Sequence, residues 1–119
     1  MGVVLVLIVG SVLLYTQLFS GPTDIGAGPG MLYFYAEWCH VCQGMEPVVD
    51  GLEGDYGREF DIVRLNIDTS RGKKLAREHG FIGQPTFILF GNSGEEVRRL
   101  MGPQDREVLA REIEQILGK

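Results

Sequence analysis

Cys39 and Cys42 are the only cysteines in a chain of 119 residues. Two residues separate them, and they stand where the apolar run Met31-Leu32-Tyr33-Phe34-Tyr35-Ala36 gives way to a helical pattern. A thiol at the first turn of a helix faces unpaired N–H groups and the positive end of the macrodipole, and both favour its thiolate. The thiolate is the attacking form in thiol–disulfide exchange, and a second cysteine one turn on can displace whatever the first captures. The spacing therefore points to redox chemistry. Three other uses compete with it. As a structural staple the pair closes a very short loop, which the chain-entropy argument values at only about 2 kcal/mol. A closed zinc site needs four Cys or His ligands, and the only histidines are His40, between the cysteines, and His79. A c-type haem attachment requires histidine directly after the second cysteine, where Gln43 stands.

The elements that position the pair follow from the pattern around it. Met31–Ala36 is apolar on both faces, as expected of a central strand covered on two sides. A helix is expected from Cys39 to about Gly54, with Met45, Val48, Val49 and Leu52 facing inward and Pro47 removing one ladder hydrogen bond. Phe60–Ile67 alternates as a strand. Thr69 or Ser70 is placed to cap a helix over Arg71–His79, which Gly80 closes. Strand Phe87–Phe90, the turn Gly91-Asn92-Ser93-Gly94 and strand Glu95–Met101 read as an antiparallel hairpin. Gln104–Leu117 carries Leu109, Ile113, Ile116 and Leu117 on one face of a last helix. The order βαβαββα, opening with a β-α-β unit, predicts a four-stranded mixed sheet with helices on both faces.

Charge divides the chain. No charged residue precedes Asp24; the sixteen acids, Asp24 included, and the eleven bases all lie from that point on. Residues 1–19 are apolar all round and, as a helix, rise roughly 28 Å against a hydrocarbon layer of about 30 Å, so a transmembrane anchor is expected there. A cleavable signal peptide is the competing reading, weakened by the missing basic residue ahead of the run. Residues 20–30 hold four glycines and two prolines and read as a linker. Residues 31–119 form the globular domain. The absence of Lys and Arg between the apolar run and Arg58 leaves nothing to retain that domain in the cytoplasm, so an extracytoplasmic location is expected. A net charge of −5 argues against nucleic acid as a partner.

Several separated motifs resemble the thioredoxin family. Phe34-Tyr35-Ala36-Glu37-Trp38-Cys39 is similar to the strand that leads into that family's active-site tryptophan and first cysteine. Pro47 matches its helix proline, Arg64-Leu65-Asn66-Ile67-Asp68 its middle strand, Gly83-Gln84-Pro85-Thr86 its cis-proline loop, and Gly102 the glycine of its substrate groove. The likeness runs from about Met31 to Leu117 in the same order. It implies a minimal thioredoxin-like fold whose cofactor is the Cys39–Cys42 disulfide itself, with no resident metal. It further implies that Cys39 attacks and Cys42 resolves, and that Trp38, Val41, Gln84, Pro85 and Gly102 shape the surface a substrate peptide pairs with. His40 has two readings: its imidazolium stabilises the Cys39 thiolate, or it faces solvent.

Departures from the family affect the proton chemistry. Tyr33 stands where thioredoxins carry a buried aspartate beneath the second cysteine, and Arg64 replaces the lysine partnered to it. Glu37 or water is then left to take the Cys42 proton. The dipeptide His-Val between the cysteines replaces Gly-Pro, so the reduction potential of thioredoxin does not transfer. The arrangement is most similar to membrane-tethered thioredoxin-like proteins. It implies a monomeric protein-disulfide reductase acting on a disulfide-bearing protein and recharged by a separate thiol or membrane electron donor. An oxidase or isomerase, and a redox-silent peptide- or metal-binding module, remain alternatives.

Overall fold

The computed structural model describes residues 2–19 and 28–119, with side chains in the first segment described to residue 14. Most of the expected linker, residues 20–27, lies outside the described residues. Helix α1 spans Gly2–Phe19. Its Val3, Val4, Leu5, Val6, Leu7 and Ile8 are exposed, and its 18 residues rise about 27 Å. Among the described residues no helix is long and apolar enough to cross a membrane. A helix thus forms where the anchor is expected, somewhat shorter than a hydrocarbon layer of about 30 Å.

The remaining elements are β1 (Gly30–Tyr35), α2 (His40–Tyr56), β2 (Asp61–Asn66), α3 (Ser70–Glu78), β3 (Thr86–Phe90), β4 (Glu96–Met101) and α4 (Arg106–Leu117). Every expected element is present, with ends moved by one or two residues. The strands form one sheet in the order β2-β1-β3-β4. β1 pairs with β2 in parallel and with β3 antiparallel, and β3 pairs antiparallel with β4. The expected mixed four-stranded sheet is therefore the observed one.

Because strand side chains alternate, β1 feeds two cores. Met31 and Tyr33 join Met45, Val49 and Leu52 of α2, Phe87 and Leu89 of β3, and Leu109 and Ile113 of α4. Leu32 and Phe34 join Leu65, Leu75, Ala76, Ile88 and Phe90 beneath α3. β1 is a central strand, which explains why all of Met31 to Phe34 is buried. Helix α3 starts at the expected cap, since Thr69 Oγ1 accepts the Gly72 N–H at 3.0 Å. Helix α2 continues through Pro47. Outer strand β4 is largely exposed, with Arg98 paired to Glu112 at 3.3 Å and Arg99 to Glu96 at 2.6 Å.

Candidate functional site

The Cys39–Cys42 pair lies just beyond β1, at the start of α2, and is closed as a disulfide with its Cα atoms 5.2 Å apart. Cys39 is the residue that caps α2. Its Sγ accepts the Cys42 backbone N–H at 3.2 Å. An orphan donor of the helix end thus points at the sulfur that would carry negative charge after reduction, the arrangement that lowers a thiol's pKa. Cys39 is 8% exposed and Cys42 only 1%. Cys39 is therefore the more accessible residue of the pair, and Cys42 is sheltered, with Ala36, Tyr35 and Ile67 around them.

The surface beside Cys39 is apolar and open. Trp38 is 66% exposed and Val41 48%. The Trp38 indole is nevertheless held, because Nε1 donates to Asp68 Oδ2 at 2.8 Å. The parallel register brings Asn66 opposite Tyr35, so the chain leaving β2 passes the same end of the sheet as the chain leaving β1. His40 is exposed on the first turn of α2, consistent with its solvent-facing reading.

The Gln84–Pro85 bond is cis, as the family resemblance implies, and Pro85 is buried while Gln84 is partly exposed. Thr86 pairs with Phe34 on one side and Met101 on the other, which carries Pro85 toward the cysteine end of the sheet. Gly102 closes this loop: its N–H donates to the Pro85 carbonyl at 2.8 Å, and its φ of +83° is one that a side chain rarely adopts. Gln84, Pro85 and Gly102 are thereby brought to one loop cluster.

On the other side of Cys42 lies a cleft of about 310 Å³ lined by Tyr35, Ala36, Glu37, Cys42, Gln43 and Glu46. Tyr33 sits fully buried beneath, and its hydroxyl donates to the Cys42 carbonyl at 3.3 Å. Burial first, and then the negative field of Glu46, pushes this phenol up to about 12. Tyr33 is thus a hydrogen-bond donor at neutral pH and no substitute for a carboxylate base. Glu37 is exposed, and its backbone carbonyl accepts the Gln43 side-chain N–H at 3.0 Å. Arg64 reaches from β2 to three carboxylates along α2: Glu46 at 2.7 Å, Asp50 at 2.6 Å and Glu53 at 3.2 Å. Burial works against its charge, but hydrogen bonds to Glu53 and Asp50 and the charges of Glu53 and Glu46 outweigh that and hold the guanidinium above its ordinary range.

Asp68 and Glu46 are absent from the sequence-predicted site. The signal for Glu46 was its place four residues after Cys42, on the same helical face. The signal for Asp68 was the βαβ connection, which lays the end of β2 beside the end of β1.

The comparisons agree with this geometry. The family profile described as Thioredoxin matches residues 23–115. A thioredoxin of Staphylococcus saprophyticus is 34% identical over 94 residues, covering 79% of this chain and 88% of that one. The thiol:disulfide interchange protein TxlA of Synechococcus elongatus is 32% identical over 89 residues, covering 75% of this chain and 47% of that one. Among solved structures, a mutant thioredoxin from Halobacterium salinarum superposes with a TM-score of 0.69 at 33% identity, over 78% of this chain and 80% of that one. A disulfide at a helix cap, a cis-proline loop at the same end of the sheet and a matching profile across the domain lead to one conclusion: the chain belongs to the thioredoxin family and is a thiol–disulfide oxidoreductase of the thioredoxin type.

Proposed function

We propose that the protein is a membrane-held reductase of disulfides in exported or membrane proteins. Cys39 attacks the substrate disulfide, a Cys39–substrate mixed disulfide forms, and Cys42 displaces the substrate thiol. The Cys39–Cys42 pair is the only redox group this requires, and a separate dithiol or membrane donor returns it to the reduced state. The observation that carries this assignment of roles is the Cys39 sulfur, which accepts an N–H at the helix start while Cys42 is sheltered. The exposed Trp38 and Val41 and the loop of Gln84, Pro85 and Gly102 are the surfaces on which we place the substrate chain, paired to backbone in the manner of an added strand. His40 borders that surface.

Helix α1 supports the membrane part of the proposal. It carries no charged residue, and exposed apolar side chains along it favour transfer out of water. Local thinning of the bilayer accommodates a short apolar segment at modest cost. Residues 20–30 then act as a tether and 31–119 as the working domain, a monomer on the extracytoplasmic side, a side consistent with the lack of basic residues before Arg58.

Insulin reduction by the full chain with dithiothreitol as donor tests the chemistry. Cys39→Ser should abolish turnover, and retained turnover would overturn the proposed roles. Cys42→Ser expressed in membranes should accumulate mixed disulfides with exported proteins. Recovery of the chain in the soluble fraction, or capture of cytoplasmic proteins alone, would overturn the location. A measured reduction potential above about −200 mV would reverse the direction in favour of oxidation.

A further inference from the structure

Resolution of the mixed disulfide requires the Cys42 thiol to lose a proton while it is sheltered from bulk water, and a neutral thiol is a poor nucleophile. Tyr33, with its pKa pushed up to about 12, cannot receive that proton at neutral pH. A side-chain acceptor can reach Cys42 from the cleft on its open side. Two carboxylate residues line it, Glu37 and Glu46. Glu37 is exposed and lies on the connection between β1 and α2. Glu46 is half-buried, one helical turn beyond Cys42, and Arg64 Nη1 holds its Oε2 at 2.7 Å. Residues four apart on a helix have Cβ atoms about 5–6 Å apart, within the reach of a glutamate directly or through one water.

We infer that Glu46 is the proton acceptor for Cys42 in the resolving step, with Arg64 as the residue that positions it. The inference rests on the roles proposed above for Cys39 and Cys42. In this step the Cys42 S–H bond breaks and its proton passes to the Glu46 carboxylate. The Cys42 sulfur bonds to the Cys39 sulfur, the Cys39–substrate S–S bond breaks, and the electron pair leaves on the substrate sulfur. That thiolate takes a proton from the Glu46 carboxyl or from water, which restores the carboxylate. The substrate gains two electrons and the enzyme's cysteines lose them. A dithiol donor replaces them. The Arg64 contact fixes one Glu46 oxygen and leaves the other for the thiol, while Asp50 and Glu53 occupy the rest of the guanidinium.

The test is the reaction of the reduced full chain with the aromatic disulfide of Ellman's reagent. Attack by Cys39 releases one coloured thiolate, and resolution by Cys42 releases the second. In Glu46→Gln the second phase should slow about a hundredfold near pH 7, the lower end of what a positioned proton acceptor contributes, while the first phase is unchanged. The loss should shrink as pH rises past about 8.5, where a free thiol ionises without help. Glu46→Asp should recover part of the rate. Glu53→Gln, which removes another Arg64 partner, should leave both phases unaltered. The charged and titratable groups around Glu46 are Arg64 on β2, whose other partners are Asp50 and Glu53 on α2, Tyr35 and Glu37 in the same cleft, and Tyr33 beneath it.

A second phase as fast in Glu46→Gln as in the wild type would overturn the inference. So would an equal slowing at every pH, or an equal slowing in Glu53→Gln, because either marks a structural effect. A second phase that persists in Cys42→Ser would instead overturn the underlying roles, so the two failures are distinguishable.

Discussion

The two faces of the sheet are built from the same central strand but carry different chemistry. Beneath α3, Leu32 and Phe34 pack into a cluster of Leu65, Leu75, Ala76, Ile88 and Phe90, with no charged group among them. Beneath α2, Met31 and Tyr33 enter a core in which the Tyr33 phenol is hydrogen-bonded to the Cys42 backbone, with Arg64 and its three carboxylates alongside. One face supplies cohesion. The other sacrifices some of it to set protons and charges next to the working sulfur. The contrast shows why Tyr33 occupies a place for which an aliphatic residue would suffice as filler: its ring fills the core, stacked 4.9 Å from Phe87, while its hydroxyl fixes the start of α2.

That comparison can be broken most severely on the apolar face. Phe34→Ala should cost about 3–5 kcal/mol in denaturant unfolding, since Phe34 is fully buried and its loss opens a cavity. Activity per folded molecule should stay near that of the wild type; a large loss in the folded fraction would mean the two faces are not separable. A smaller effect is expected from Arg64→Met, about 1–2 kcal/mol, because three partly exposed ion pairs are lost and their carboxylates then repel one another. The loss should be larger at low salt, and the resolving step should slow as well. A variant as stable as the wild type at low ionic strength would remove Arg64 as an organiser of that face.

Tyr33→Phe is the mildest change, about 1 kcal/mol or less at neutral pH, given the 3.3 Å hydrogen bond it removes. Its pH dependence is more informative. The folded phenol titrates at about 12, above an unfolded value near 10, so the folded state holds the proton more tightly. The stability that Tyr33 supplies is complete below about pH 10 and is lost as pH rises toward about 12. Chemical denaturation across that window should show the decline in the wild type and a shallower one in Tyr33→Phe. Equal slopes would show that the phenol ionises freely in the folded protein.

Much of this organisation was legible from residue order. The two-sided apolarity of Met31–Ala36 gave the central strand, and the glycines and Thr69 marked the ends of α3 and the β3–β4 hairpin. The cysteine pair and the cis-proline loop carried the family. What stayed hidden was relational. Glu37 reads as the nearest carboxylate because it is close in sequence, whereas Glu46 reaches the cleft only through the turn of α2, and its alignment depends on an arginine eighteen residues further along. Asp68 likewise meets Trp38 across thirty residues. Hydrophobic periodicity predicts which face of an element is buried, but not which polar side chains converge once two elements are laid together. The apolar first segment shows the converse case: its composition led to the expectation of a spanning helix, and among the described residues no helix is long and apolar enough to cross a membrane.

The outer strand β4 has a consequence for how copies of the protein meet. A strand at the rim of a sheet offers its free backbone as a template for another chain. Here Arg98 and Arg99 stand on that rim, each held by a carboxylate, so an approaching identical strand would set like charges against one another. Replacing both with threonine would leave a smooth, β-favouring ribbon, and edge-to-edge aggregation should rise, as light scattering would register.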